Sequence, residues 1–544
     1  VPVDRPADSK VHGGLHFIVG AIGLSFLAIA GFHLAYSFPS LAWLTVLLPI
    51  SLIGFALHPN RRVAFYLPLL TGLGCYAPKL AFFWTIFGPA AIPLWLVLSF
   101  WLGIFGLLVW FLNSHLGTAF ALLAAPVVWT AVEFFRSELY FLRFAWLTPG
   151  MAFDQWPQVV GTLGIYGTGF VLSAVAALVW KLVSTFSVGR WALNVSEGRT
   201  PNIQRPTPNA QGLAIAAFLL VAAHSAPAKP LHLAGVQLEF PTHDQVLAAL
   251  DRAIAERPET DLIVFSEYTF DSPPPKSVRD WCRVNRRHLI AGGKDPTPDG
   301  DFYNTAFVVG PDGEIVFRQA KSQPIQFFKD GKPAPSQQLW DSPWGRIGLA
   351  VCCDDGYTHI MDELVRQGAQ LLIIPTMDVV EWGRAQHELH ARLGPIRAAE
   401  YRILVVRVCS SGVSQVIGAN GVVLSSLPFT PVDESDSKPG NGIGRSASPN
   451  EESAPHPADP PDRKSTRQFS LSFRSADARA LAPLNDGILF ASLDLSGSGH
   501  LPPDRWLVRG CVAVTPLLLI GCFIRRLRPK ADGVAASPPP SSKP

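Results

Sequence analysis

The feature that most limits how this chain can fold is a succession of long apolar stretches. They run at about 15–36, 39–58, 63–84, 89–112, 118–136, 157–183 and 211–226, with an eighth, "WLVRGCVAVTPLLLIGCFI", at 506–524. A segment of roughly 20 apolar residues is long enough to cross a bilayer as a helix. Inside lipid the backbone must satisfy its own hydrogen bonds, so such a series commits the chain to helices packed side by side. Composition agrees: 16% of the 544 residues are charged and 48% are hydrophobic, too apolar for an ordinary soluble chain. The first stretch is followed by further spans and not by a small-residue cleavage site, which reads it as a span rather than a removable leader.

Basic residues in the short loops predict the orientation. "HPNRR" at 58–62, the loop 187–210 with Arg190, Arg199 and Arg205, and "RRLRPK" at 525–530 are basic. Eight spans place all three on the cytoplasmic side and residues 227–505 outside. The net charge of +3, without a Lys/Arg-rich block, gives no nucleic-acid footprint. Seven cysteines at 75, 282, 352, 353, 409, 511 and 522 show neither zinc nor disulfide spacing.

From "LHLAGVQLEF" at 231 the texture changes. Apolar β-rich runs at 231–237, 261–266, 288–292, 305–310, 346–351, 370–375 and 403–408 have helical stretches between them, such as 243–256 and 384–402. Strands alternating with helices predict a layered α/β domain. Residues 427–484 are rich in Pro, Ser and charge, and are expected as a disordered insertion. "GILFASLDL" at 487–495 then supplies one more strand. The expected division is a membrane domain at 1–226, an α/β domain at 227–504, a last span at 505–526 and a cytoplasmic tail at 527–544.

Three chemically active side chains follow apolar strands: Glu267 in "TDLIVFSEYTF", Lys321 in "GEIVFRQAKSQP" and Cys352 in "GRIGLAVCCDD". Strand ends converge on one edge of a sheet. There a carboxylate can serve as a base, a thiol as a nucleophile and an ammonium as a partner for developing negative charge. Taken singly, each is ordinarily a solvated charge or a small buried hydrophobe.

The order Glu–Lys–Cys, with "YNTAFVVGPDGEIVFRQAK" at 303–321 and "WGRIGLAVCCD" at 344–354, resembles the nitrilase (carbon–nitrogen hydrolase) superfamily. The flanking spans, with "EFFR" at 133–136, "FAWLTPG" at 144–150 and "LGIYGTGF" at 163–170, are similar to its apolipoprotein N-acyltransferase family of the bacterial inner membrane. The resemblance implies a multi-pass α-helical membrane domain carrying a four-layer αββα sandwich on the periplasmic side. It implies that Glu267 is a general base, Lys321 a transition-state stabiliser and Cys352 the nucleophile. "GLAVCCD" follows that family's Gly-x-Ala-x-Cys-aromatic-acid pattern, so Cys353 stands where an aromatic is usual and Asp354 keeps the acid. Where the family carries a second glutamate after its lysine, "KSQPIQFFKDGKPAP" offers Asp330 instead; "PTMDVVEWG" retains Asp378 and Trp382.

The implied reaction is ping-pong. A phospholipid donates its acyl chain to Cys352, and the amine of a diacylated apolipoprotein takes it from the thioester, without metal or organic cofactor. The alternative is a membrane-anchored amidase acting on a small amide, and a third reading is a degenerate scaffold. Other residues drew notice. "HELH" at 387–390 is one residue short of the H-E-x-x-H zinc motif. Lys79 is expected mid-span, and Glu133, Arg136 and Arg143 at the outer end of the fifth span either meet headgroups or anchor a helix. Phe327, Phe328 and Trp340 are expected in the loop after Lys321.

Overall fold

The structure is a computed structural model that describes residues 8–192, 229–429 and 487–527. The span expected at 211–226, most of the insertion expected at 427–484 and the tail lie outside these residues.

The N-terminal stretches are helices: α1 (Asp8–Ser37), α2 (Leu47–Ala56), α3 (Arg61–Lys79), α4 (Phe82–Phe87), α5 (Ala91–Leu116), α6 (Thr118–Phe134), α7 (Pro157–Leu163) and α8 (Ile165–Ala192). Two expected spans are broken. The stretch 63–84 ends as a helix at Lys79 and restarts at Phe82. In 157–183, Gly164 takes φ +74° between α7 and α8. A left-handed residue closes a helix, and glycine adopts it without a Cβ clash. Lys79 is not mid-span: it is the last residue of α3, and its ammonium donates to Ser37 Oγ at 3.2 Å.

The second region has two six-stranded sheets. The first runs β12-β1-β2-β3-β4-β5, from β1 (Leu231–Gln237), β2 (Leu262–Val264), β3 (His288–Pro296), β4 (Phe302–Val309), β5 (Ile315–Ala320) and β12 (Gly487–Leu493). The second runs β11-β10-β9-β8-β7-β6, from β6 (Leu339–Ser342), β7 (Gly345–Leu349), β8 (Leu371–Thr376), β9 (Leu404–Cys409), β10 (Ser414–Ile417) and β11 (Val423–Leu427). The expected strand at 487–495 closes the first sheet, with β12 antiparallel to β1.

Alternation along the strands sorts side chains into layers. Leu231, Leu233, Leu262 and Val264 meet Leu371, Ile373, Val406 and Val408 between the sheets. Ala234, Val236 and Ile263 point outward onto α9 (His243–Glu256) and α10 (Lys276–Asn285). Leu372, Ile374 and Val405 meet α11 (Thr358–Arg366) and α13 (Leu393–Tyr401). Both sheets are therefore covered on both faces, which is the four-layer αββα sandwich and the reason these strands read as continuous apolar runs. Trp340 is not in the loop after Lys321; it lies on β6, buried between the sheets. The helix expected over 384–402 is two, α12 (Arg384–Ala391) and α13. Pro395 has no N–H to give the carbonyl of Ala391, so the first helix ends there.

A final helix, α14 (Asp504–Leu527), returns to pack on α5, α6 and α8. Among the described residues six segments are long and apolar enough to cross a membrane: Ile18–Ser37, Pro39–Ala56, Phe82–Leu116, Thr118–Leu139, Ile165–Thr185 and Asp504–Ile524. Phe26, Leu123, Leu178 and Leu517 on these helices stay more than half exposed, as a lipid-facing surface requires. The chain is a multi-pass membrane protein.

Polar groups join the two regions. Arg505, on α14, donates to Asp362 of α11 at 2.9 Å and to the Tyr401 hydroxyl at 2.7 Å, and lies 3.0 Å from Glu400 of α13. Glu400 accepts the N–H of Ile165 at 3.1 Å, and Asp504 that of Tyr166 at 3.0 Å, so carboxylates from outside α8 cap its first turn. Glu138, just after α6, accepts from Thr358 N–H and hydroxyl, both at 2.9 Å.

Candidate active site

β2 and β5 of one sheet and β7 of the other end at the same edge of the sandwich. Glu267 follows β2, Lys321 follows β5 and Cys352 opens the turn after β7. The structure brings the three together, all buried. Lys321 Nζ lies 2.9 Å from Glu267 Oε1. The same carboxylate accepts from Asn304 Nδ2 at 2.6 Å, and its other oxygen from the Met377 N–H at 2.9 Å. The Met377 carbonyl in turn faces Cys352 Sγ at 3.8 Å. Close approach of β3 holds Glu267 in place: Gly292 N–H donates to Ser266 O at 3.0 Å, and a Cβ on Gly292 would sit 2.6 Å from Glu267 Cα.

Asp330, the acid offered where the related family has a glutamate, joins this centre. Its Oδ2 lies 2.8 Å from Lys321 Nζ and accepts the Ile325 N–H at 2.7 Å. Its Oδ1 accepts from Tyr268 Oη at 2.7 Å and Asn304 Nδ2 at 2.8 Å. Burial works against the charge of Lys321, yet Asp330, the two thiols and Glu267 hold its pKa well above the ordinary lysine range.

Cys352 has φ +53°, a left-handed conformation unusual for a residue with a Cβ. The neighbouring Cys353 thiol, burial and the Glu267 carboxylate push its pKa well above the usual thiol value, with Lys321 opposing. Asp354 braces the turn: its carboxylate accepts the N–H groups of Ser322 at 3.0 Å, Gln323 at 2.8 Å and Val351 at 3.2 Å. Burial pushes its pKa up to about 6. One side chain thus ties the lysine loop to the cysteine turn. Cys353 is half-buried, with Sγ 3.4 Å from Gln323 O.

An apolar cavity opens from Cys352 toward the membrane helices. Phe82, Phe83 and Phe87 of α4 and Leu94 and Leu98 of α5 form one wall; Cys353, Trp382 and the loop 323–328 form the other. Phe328 packs against Phe87 with tilted rings, their centroids 5.5 Å apart. A second cavity, lined by Tyr268, Lys294, Lys329, Asp330 and Met377, meets the first along Ile325, Phe328 and Trp382.

The residues of "HELH" are structural. His387 is bonded to Val379 O at 2.9 Å, and His390 to Asp378 at 2.8 Å. Asp378 also accepts from Arg407 at 2.7 Å, which fixes the segment whose Met377 touches both Glu267 and Cys352. Of the polar residues in and just after the last turn of α6, Glu133 and Arg136 are buried within the protein, while Arg143 lines the apolar cavity. Sequence reasoning missed Asn304, Tyr268 and the Met377 backbone. Asn304 stands in the quoted "YNTAF", where a polar residue inside an apolar strand was the available signal.

The family described as the apolipoprotein N-acyltransferase N-terminal domain matches residues 30–178, and the carbon–nitrogen hydrolase family matches residues 233–432. An apolipoprotein N-acyltransferase of Geobacter metallireducens is 23% identical over 469 residues, covering 74% of this chain and 86% of that relative. One chain thus carries an apolipoprotein N-acyltransferase N-terminal domain at 30–178 and a carbon–nitrogen hydrolase domain at 233–432. A second such relative, from Shewanella oneidensis, is 24% identical and covers 75% of this chain and 88% of its own length. An omega-amidase NIT2 of Bos taurus is 32% identical, but over only 19% of this chain and 41% of that protein.

Proposed function

We propose that this chain moves a fatty acyl group from a phospholipid to the N-terminal amine of diacylglyceryl-cysteine lipoproteins through a thioester on Cys352. The observation that carries this reading is the apolar cavity that ends at Cys352 and is walled by membrane-domain helices. A hydrolase of small amides would leave that cavity without an occupant.

The steps follow from the site. Glu267 accepts the thiol proton as Cys352 Sγ attacks the ester carbonyl. Lys321 faces the negative charge that develops. The proton passes from Glu267 to the departing lysophospholipid alcohol, and the thioester remains. The acceptor amine then attacks the thioester, gives its proton to Glu267 and leaves as an amide, while Cys352 recovers its proton. Asp330 completes the charge around Lys321, and Cys353, Asp354 and Trp382 shape the turn and the cavity wall. The basic loops support the bacterial inner membrane with the α/β domain on the periplasmic side, and the same reading supports the division at 1–226, 227–504 and 505–526.

Mass spectrometry of the purified protein after incubation with phospholipid tests the reading. A fatty-acyl adduct is expected on the wild type and on Cys353→Ala, and is expected to vanish in Cys352→Ala. An adduct that follows Cys353 instead, or turnover of small amides without any adduct, refutes it.

A further inference from the structure

We propose that Arg143 seats the phosphodiester of the acyl donor and so positions the donor's ester carbonyl at Cys352; this rests on the acyl-transfer reading above. Arg143 lies four residues beyond the candidate span Thr118–Leu139. It lines the apolar cavity that reaches Cys352, and among the described residues no other Lys, Arg, Asp or Glu lines it; His390, which also lines it, is already bonded to Asp378 at 2.8 Å. Its Nε is buried and has no hydrogen-bond partner among the described residues.

That isolation sets it apart from the other arginines at this junction. Arg392 meets Asp154 at 3.0 Å, Arg407 meets Asp378 at 2.7 Å and Arg505 meets three carboxylates; Arg397 pairs with Glu400. Arg136 donates to the Phe144 carbonyl at 3.1 Å. Arg143 enters no ion pair among the described residues. The side chain is half-buried, and its buried Nε–H is left without an acceptor, a cost that an anion arriving with the ligand would remove. Its planar fork matches two oxygens of a phosphate.

The backbone that carries Arg143 is fixed on both sides. Phe144 N–H donates back to Arg136 O at 3.3 Å, and the Tyr357 hydroxyl donates to Arg143 O at 3.3 Å. Glu138, five residues earlier, is bonded to Thr358. The cation is thus presented to the cavity by a braced loop. With the phosphate at Arg143, the glycerol ester lies a few bonds inward and its chain enters the apolar space lined by α4 and α5. The acceptor carries no phosphate, so Arg143 acts in the first half-reaction alone.

The test compares acylation of Cys352 from two donors: phosphatidylglycerol in detergent micelles, and palmitoyl p-nitrophenyl ester, which has no phosphate. In Arg143→Gln the ratio of phospholipid to neutral-ester rates should fall about tenfold or more, the loss of a hydrogen-bonded charge contact. Arg143→Lys should fall less, since it keeps the charge and loses the fork. Transfer from preformed thioester to a lipopeptide amine should keep the wild-type rate. Parallel slowing with both donors, or an unchanged ratio, overturns the proposal even if the enzyme is an acyltransferase. A wild type that forms no adduct from either donor overturns the acyl-transfer reading as well. Inorganic phosphate should not inhibit the phospholipid reaction; inhibition that disappears in Arg143→Gln would give the site to a free anion and overturn the lipid assignment.

Discussion

Replacing Asp330 by Asn probes the charge centre at its most demanding point. The side chains have the same shape, so no cavity forms. One amide oxygen and one amide nitrogen must now serve where two carboxylate oxygens accepted four donors. With the oxygen at the Oδ1 position, Tyr268 and Asn304 keep their acceptor, but the amide nitrogen faces Lys321 Nζ at 2.8 Å and the Ile325 N–H at 2.7 Å. The flipped amide orphans Tyr268 and Asn304 instead. Glu267, still 2.9 Å from Lys321, goes on neutralising the ammonium, so the cost comes from the two stranded donors. At about 1–3 kcal/mol each, the loss is about 2–6 kcal/mol. For a domain of this size that lowers the unfolding midpoint by on the order of 10 °C. Freed from Asp330, Ile325 and the loop wall it belongs to should also loosen, slowing adduct formation on Cys352 at least about tenfold. Thermal unfolding in detergent and timed mass spectrometry of the acyl adduct read the two effects. An Asp330→Asn protein that melts within about 1 kcal/mol of wild type and acylates at the wild-type rate refutes the reasoning.

Two other perturbations test different supports of the site. Gly292→Ala places a methyl 2.6 Å from Glu267 Cα, so Glu267 must move; adduct formation should drop about a hundredfold, with overpacking costing about 1–3 kcal/mol, and an unchanged rate would mean the base tolerates displacement. Burial and Arg407 oppose the charge of His390, yet Asp378 and Asp355 keep its pKa above the usual histidine value. Its contribution to stability is therefore complete below about pH 6.5 and is lost as pH rises through the higher folded value. Unfolding followed from pH 6 upward should show that decline in wild type and a flatter curve in His390→Gln; identical slopes would contradict the assignment.

The strands and the three strand-end residues were legible because a sheet covered on both faces needs continuous apolar runs, and reactive side chains stand out where such runs stop. Resemblance chose Cys352 over Cys353, since local pattern alone treats adjacent thiols alike. The helix breaks were not legible. Hydropathy is blind to Gly164 and to the restart at Phe82, because an apolar stretch stays apolar across a kink. Lys79 was misplaced for the same reason. Trp340 sits on a strand of four residues, too short to show alternation. The buried ion pairs escaped most completely. Arg397, Arg407 and Glu400 look like surface charges in sequence, and their partners are fixed only when distant elements meet.

Among those pairs, Arg505 and the carboxylates that cap α8 have a consequence for the reaction's geometry. The sandwich is gripped through Glu138 just beyond α6 and again through α14, so it has little freedom to swing about a single hinge. A molecule that diffuses laterally in the bilayer then meets a mouth of constant height and bearing. The search for the thiol is reduced from three dimensions to two, and the orientational part of the encounter is settled when the chain folds rather than at each turnover.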